Sequence, residues 1–232
     1  MSRESFVARK EISLILKNRG ALATALLFNL VFGGLSVPSA LAGDPSGVFI
    51  DRLGFLVLLM LGIFMGYIFS GTVFLREKQT GVIETVLCAP LSLRQLWLGK
   101  VMGVTVVAYG MTLISAAIIF AGVFFLEPGS LILSGPLLAN LFLVVPAFVA
   151  VSVGLLGFGQ LMLGMRENQL LNMGLIFLLV FLVSGASGLV SPDFRGSWNM
   201  VAALFGLASL LILITYWLTR FLDKERVVLT IP

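Results

Sequence analysis

Residues 101–126 read VMGVTVVAYGMTLISAAIIFAGVFFL, an uninterrupted apolar stretch without a charged side chain. As a helix it is longer than the roughly 20 residues that cross the hydrocarbon core of a bilayer. A transmembrane barrel strand would alternate apolar and polar residues and would end after about ten. The stretch therefore predicts a transmembrane helix, because a helix satisfies its own backbone hydrogen bonds in lipid.

Five further stretches have the same character and bring the predicted number of spans to six. In chain order the spans are residues 21–42, 53–75, 101–126, 137–165, 170–190 and 200–218. The composition agrees, because 59% of the residues are apolar and 11% are charged, whereas a soluble domain carries roughly 25% charged residues. We predict an all-α integral membrane protein with a six-span domain at 21–219, a cytoplasmic segment at 1–20 and a tail at 220–232.

The basic residues lie on one side of this arrangement. Thirteen of the 15 lysines and arginines fall in the terminal segments and in the connections after the second and fourth spans. The remaining connections hold only Arg52 and Arg195. Because basic residues accumulate on the cytoplasmic side, we expect both termini in the cytoplasm and a multi-pass location in the cytoplasmic (inner) membrane. The net charge of +4 then reflects membrane topology, and we expect no nucleic-acid partner.

Several kinds of chemistry are missing from the sequence. The chain has no histidine and one cysteine, which excludes a Ser/His/Asp triad and an intrachain disulfide and argues against a Cys/His metal site. No G-x-x-x-x-G-K-[ST] phosphate loop occurs, and the predicted spans lack the ionisable residues that ion-coupled carriers usually keep. We expect no enzyme activity, no nucleotide site and no cofactor in this chain.

The N-terminal segment has the pattern of an amphipathic helix. One face carries apolar residues and the other carries basic residues. The apolar set is Ala8, Ile12, Ile15 and Leu16, and the basic set is Arg3, Lys10 and Lys17. The pattern predicts a helix lying on the inner leaflet, with a short polar lead-in to the first span as the alternative.

The connection between the second and third spans is the longest predicted on the cytoplasmic side. Residues 76–100 read REKQTGVIETVLCAPLSLRQLWLGK. Pro90 ends one short amphipathic helix, and Ser92 is placed to cap a second that carries Leu93, Leu96 and Trp97. The polar face of the first helix is free to meet a soluble partner, and a plain amphipathic connector is the alternative.

The loop contains an ordered set of residues that resembles the permease subunits of ABC transporters of the type-2 exporter class. The matching residues are Glu77, Gly81, Glu84, Leu87, Pro90, Gly99 and Lys100. Chain length, six spans and an N-terminal amphipathic helix also match that class. The B subunit of the haem exporter of cytochrome c maturation is a related alternative.

The resemblance implies a dimer of permease copies, identical or related, bound to separate ATPase subunits that carry ATP and Mg. It also implies that the loop holds a coupling helix around residues 81–87, with a smaller contact after the fourth span. The implied partner-binding residues are Glu77, Thr80, Gly81, Glu84, Thr85, Leu87, Pro90, Arg166 and Glu167. Residues 184–199 correspond to a re-entrant segment between the last two spans.

Polar residues within the spans have two interpretations. Most such groups form hydrogen bonds between helices, and a minority line a substrate route. The possible pathway-lining residues are Tyr67, Ser70, Tyr109, Asn140 and Asn172. Gly62 and Gly66 form a G-x-x-x-G pair that predicts helix packing, with a dimer contact as the alternative. An ATP-independent carrier and a membrane scaffold are the competing functions.

Overall fold

The computed structural model describes residues 3–41, 48–81, 92–126, 133–163, 165–190 and 197–221. Within these ranges the regular structure is helical, without strands. Five helices are long and apolar enough to cross a membrane: Arg19–Val37, Gly54–Gln79, Leu93–Leu126, Gly135–Met162 and Trp198–Phe221. The predicted all-helical character is confirmed, and the arrangement is consistent with a helical membrane protein.

The helices are numbered in chain order. They are α1 (Arg3–Lys17), α2 (Arg19–Phe28), α3 (Gly34–Leu41), α4 (Val48–Ser70), α5 (Arg76–Gln79), α6 (Leu93–Leu126), α7 (Gly135–Ala139), α8 (Val145–Met162), α9 (Met165–Val190) and α10 (Trp198–Leu218). Five-residue π-helical segments join three pairs into continuous helices: Asn29–Gly33 joins α2 to α3, Gly71–Leu75 joins α4 to α5, and Asn140–Val144 joins α7 to α8. A 3₁₀ turn, Thr219–Phe221, follows α10.

The predicted spans coincide with these helices, with one difference. Five of the six predicted stretches correspond to the five long apolar helices. The fifth prediction, 170–190, lies within α9, whose apolar part, Asn172–Gly185, is shorter than the others. Residues 184–190, the first part of the predicted re-entrant segment, continue α9 as helix, and residues 191–196 lie outside the described residues.

Helix α4 packs against α6 and α8 in the centre of the bundle, and two glycines set the distance to α8. A Cβ added at Gly62 would lie 3.1 Å from Cγ1 of Val145 and 3.1 Å from Cγ2 of Val149. A Cβ at Gly66 would collide with the Ser152 hydroxyl. The G-x-x-x-G pair therefore brings two helices of one chain together, which is how small residues commonly act in membranes.

Helix α1 packs along the first turns of α6, where Gly99 and Gly103 make room for it. A Cβ at Gly99 would lie 2.6 Å from the Val7 Cβ, and one at Gly103 would lie 2.9 Å from the Ala8 carbonyl oxygen. The amphipathic helix is present, but its packed face is turned from the predicted one. Its buried residues are Val7, Glu11 and Ile15, whereas the predicted Leu16 is 55% exposed. Glu11 lies at the centre of the packed face, and a pattern of apolar residues does not predict burial of an acidic residue.

The second predicted helix of the loop is the beginning of α6. The Ser92 hydroxyl accepts from the Gln95 amide at 3.2 Å, and Gln95 Oε1 accepts from the Ser92 amide at 3.2 Å. This reciprocal pair is a capping box, and it confirms the predicted capping role of Ser92. The helix then continues without a break for 34 residues to Leu126.

Candidate functional site

The second long helix ends at a defined place. The Thr80 amide donates to the Arg76 carbonyl at 3.0 Å, and Gly81 follows with φ of 70°. Such a left-handed residue terminates a helix and favours glycine, which has no Cβ to clash. Glu77 thus lies in the last turn of this helix, and Thr80 follows as its C-cap. The predicted contacts Glu84, Thr85, Leu87 and Pro90 lie outside the described residues.

A buried ionic triad joins three helices at this end of the bundle. Lys100 Nζ donates to Glu11 Oε1 at 2.9 Å and to Glu77 Oε1 at 2.7 Å. The side chains of Lys100, Glu11 and Glu77 are 3%, 5% and 20% exposed. The triad ties α1 and α5 to the beginning of α6. The sequence analysis matched Glu77 and Lys100 to a motif but missed Glu11. The available signal was its spacing, because Glu11 lies four residues after Val7 and four before Ile15 and therefore shares one face of α1 with them.

The neighbouring residue, Lys78, is fully buried and points to a different helix. Its Nζ donates to the carbonyl oxygens of Gln160, Leu161 and Leu163 at 3.4, 3.3 and 2.5 Å. The last carbonyls of a helix have no partner within the helix, and a cation there also complements the helix dipole. Lys78 therefore caps the C-terminus of α8 from another part of the chain.

The short turn between α8 and α9 is held from a second direction by Asn168. Its Nδ2 donates to the Gln160 carbonyl at 3.2 Å and to the Leu163 carbonyl at 3.1 Å. Arg166 and Glu167, the smaller predicted contact, lie in the first turn of α9. Glu167 is exposed and acts electrostatically on the Lys78 ammonium. The structure thus brings the second predicted contact to the same end of the bundle as Glu77 and Thr80.

Two adjacent residues of α5 therefore connect to two separate parts of the structure. Successive residues of a helix point about 100° apart, so Glu77 faces α1 and α6 while Lys78 faces α8 and α9. We call Glu11, Glu77, Lys78 and Lys100, with the carbonyls that Lys78 caps, the ionic clamp. The clamp fixes the turn that leads directly into Gly81 and the loop beyond it.

Two of the predicted pathway residues meet in a buried polar chain close to the clamp. Ser70 Oγ lies 3.2 Å from Gln160 Oε1, and Gln160 Nε2 donates to Asn172 Oδ1 at 3.3 Å. The three side chains are 0–5% exposed and come from α4, α8 and α9. These three residues form hydrogen bonds between helices, which is the first of the two interpretations given above for polar residues within the spans.

Two other predicted pathway residues lie towards the opposite end of the bundle. The Tyr109 hydroxyl donates to the Leu141 carbonyl at 3.2 Å, and Asn140 Nδ2 donates to the Phe55 carbonyl at 3.0 Å. Phe55 and Ser70 are fifteen positions apart on α4, about 22 Å along the helix. The predicted set therefore forms two separate clusters, and Tyr67 is half-buried on α4 between them.

Two cavities are open to the outside of the bundle. The first, about 340 Å³, lies beside the clamp and is lined by Glu11, Leu14, Ile15, Asn18, Thr72, Val73, Arg76, Glu77 and Thr80. The second, about 270 Å³, is an apolar groove lined by Phe28, Phe32, Ser36, Leu56, Val57, Met60, Leu61 and Phe64. Neither is lined by the predicted pathway residues.

Comparison with known proteins adds no assignment to this geometry. No protein-family model matches the chain, and no curated protein matches its sequence. The described fold, with five apolar helices and an ionic clamp at one end, is consistent with the broad class of helical membrane proteins.

Proposed function

We propose that this chain is the transmembrane permease subunit of an ATP-driven ABC exporter. Two permease copies would form the pathway, and a separate ATPase subunit would carry ATP and Mg. The proposal includes six spans, with α9 as the fifth, both termini in the cytoplasm, and residues 184–199 as a re-entrant segment. The location would be the cytoplasmic (inner) membrane.

The ionic clamp is the observation that carries this proposal. A subunit driven from outside the membrane needs a stiff connection between its docking loop and its spans. Glu77 and Lys78 supply that connection, because they join the turn before Gly81 to α1, α6 and α8 through buried charged hydrogen bonds. The proposed second contact, at Arg166 and Glu167, begins on the turn that Lys78 and Asn168 hold. A movement of either contact would therefore act on the same framework.

The proposed mechanism uses this arrangement. ATP binding would close the ATPase dimer and displace the loop after Gly81. Helix α5 would carry the displacement to α6 and α8, and these helices would open the pathway on one side of the membrane. The polar chain of Ser70, Gln160 and Asn172 would change its hydrogen bonds as α4, α8 and α9 shift.

The first test is whether a reading frame adjacent to this one encodes an ABC ATPase subunit; such a subunit is then co-purified with this chain, and ATP-driven transport is measured in vesicles. Glu84→Arg and Gly81→Pro are expected to abolish complex formation while the protein still inserts into the membrane. Glu225→Arg, a charge reversal in the C-terminal tail, is the matched control and should leave the complex intact. Full complex formation and transport by both loop variants would overturn the docking role.

The competing functions give different results in the same experiment. Solute movement by the purified chain in vesicles without nucleotide would indicate an ATP-independent carrier. Stable association with the ATPase without any nucleotide-dependent change in the permease would indicate a membrane scaffold.

A further inference from the structure

The cavity of about 340 Å³ beside the clamp has walls of opposite charge. Its most buried charged residue is Glu11, which is 4% exposed, and Glu77 beside it is half-buried. Arg76 and Thr80 are exposed at the rim. The volume is roughly ten times the share of one water molecule in the liquid, so the cavity has room for a small polar group.

The carboxylates in this cavity are incompletely used by the protein. Among the described residues, the Lys100 ammonium donates to one oxygen of each carboxylate, and both Glu11 and Glu77 line the cavity. Two carboxylates share one ammonium, which leaves one formal negative charge in the triad. A buried carboxylate is stabilised by further donors and by positive charge.

A ligand that completes this site needs a compact ammonium for the carboxylates and an anion for Arg76. A phosphoethanolamine group carries both, because its primary ammonium has three N–H donors and its phosphate matches the guanidinium fork. We propose that the cavity binds a phosphoethanolamine group, with its ammonium at Glu11 and Glu77 and its phosphate at Arg76.

The position of the cavity favours a lipid as the source of this group. One wall comes from α1, whose Phe6 and Leu16 are exposed apolar side chains, as expected for a helix that lies at a membrane surface. Leu14, Ile15 and Val73 add an apolar border to the polar floor. This inference is independent of the proposed transport function, since it requires only that the chain lies in a bilayer.

The experiment compares lipids that differ only in their N–H donors. The purified wild-type protein is titrated in detergent with dioleoyl phosphatidylethanolamine, its N,N-dimethyl derivative and the corresponding phosphatidylcholine, and bound lipid is counted by native mass spectrometry. We expect the apparent affinity to fall along this series, by about tenfold from the first lipid to the last, because charged hydrogen bonds are lost. Equal affinity for all three would overturn the proposal.

Variants locate the site and control for surface charge. Glu77→Gln and Arg76→Gln should each remove most of the preference for the primary amine. Glu225→Gln makes the same change of net charge in the C-terminal tail and should keep the preference. Loss of the preference in Glu225→Gln as well, or its retention in both cavity variants, would contradict the assignment. Arg76 is exposed and makes no part of the triad, so its variant tests the site even if Glu77→Gln fails to fold.

A further arm distinguishes the two sources of the ligand. Free phosphoethanolamine is added in excess to the protein with bound lipid. Displacement at millimolar concentration would support the assigned chemistry with a soluble ligand as its source. Binding of the lipid together with failure of the free compound to compete would support a lipid headgroup held at the membrane surface.

Discussion

Lys78 Nζ and the Leu163 carbonyl oxygen lie 2.5 Å apart, although 85 positions separate the two residues in the sequence. This contact joins the end of the second long helix to the turn after the fourth. It also explains how a lysine can be fully buried: in place of water, its ammonium has three carbonyl oxygens at the C-terminal end of α8. The contact makes the stability of two distant turns depend on one side chain.

Replacing Lys78 with methionine should therefore destabilise the protein. The substitution keeps most of the length and apolar volume but leaves the terminal carbonyls of α8 without this donor. We expect a loss of about 2–4 kcal/mol and a lower midpoint in thermal unfolding of the detergent-purified protein. Lys10→Met, on the exposed face of α1, is the control and should change the midpoint little. Equal midpoints for Lys78→Met and wild type would contradict a net stabilising role of the capping contact.

The ionic triad should show strong coupling between its members. Lys100→Met alone leaves two carboxylates close together without their cation, at a cost of about 3–5 kcal/mol. Adding Glu11→Gln and Glu77→Gln should recover a large part of this loss, since replacing every charge by a neutral group removes the unpaired ones. The measurement is a mutant cycle of thermal or denaturant stability. Additive losses across the three substitutions would contradict a shared buried triad.

The docking of α1 should depend on Gly99. A methyl group there would meet the Val7 side chain and the Glu4 carbonyl oxygen, the latter at 2.9 Å. Gly99→Ala should loosen α1 and expose it to proteolysis in the purified protein, with a loss of about 1–3 kcal/mol. Gly110→Ala, in the same helix with nothing within 4 Å of the added Cβ, should resist protease like the wild type. Similar cleavage of the two variants would place α1 elsewhere.

The polar chain through Gln160 should act as a unit. Gln160→Leu removes both the bond to Ser70 and the bond to Asn172, and we expect a loss of about 1 kcal/mol. A second substitution, Asn172→Leu, should then add little, because its partner is already gone. Stability measurements on the single and double variants test this. If the two losses add fully, the hydrogen bond between the two amides contributes nothing.

The sequence predicted the helical class and the positions of the five long apolar helices because those features depend on long apolar stretches. The position of Ser92 was likewise predictable, since a capping box is a local pattern. The clamp was not predictable in the same way. Lys78 was counted as a basic residue beside a membrane and Lys100 was matched to a motif, but only the hydrogen bonds of the structure show that both lysines are buried among other helices.

The limits of sequence reasoning also appear in the apolar faces. Leu16 belongs to the predicted face of α1 but remains exposed, while Glu11 is buried because Lys100 pairs with it. A hydrophobic pattern treats an acidic residue as a surface residue, so the predicted buried face of α1 was displaced from the face that contains Glu11. The packing role of Gly99 and Gly103 was missed, although they have the same G-x-x-x-G spacing as Gly62 and Gly66.

The π-helical segment Gly71–Leu75 has a consequence for the register of the clamp. A π segment has the form of one extra residue inserted into an α-helix, and each residue turns the helix by about 100°. Deleting one residue at Gly71 would restore regular α-helix and turn everything beyond it by that angle. Glu77 would then face away from Lys100 and Lys78 away from α8, although no residue of the clamp had changed. The one extra residue therefore determines the directions in which Glu77 and Lys78 point from the end of this helix.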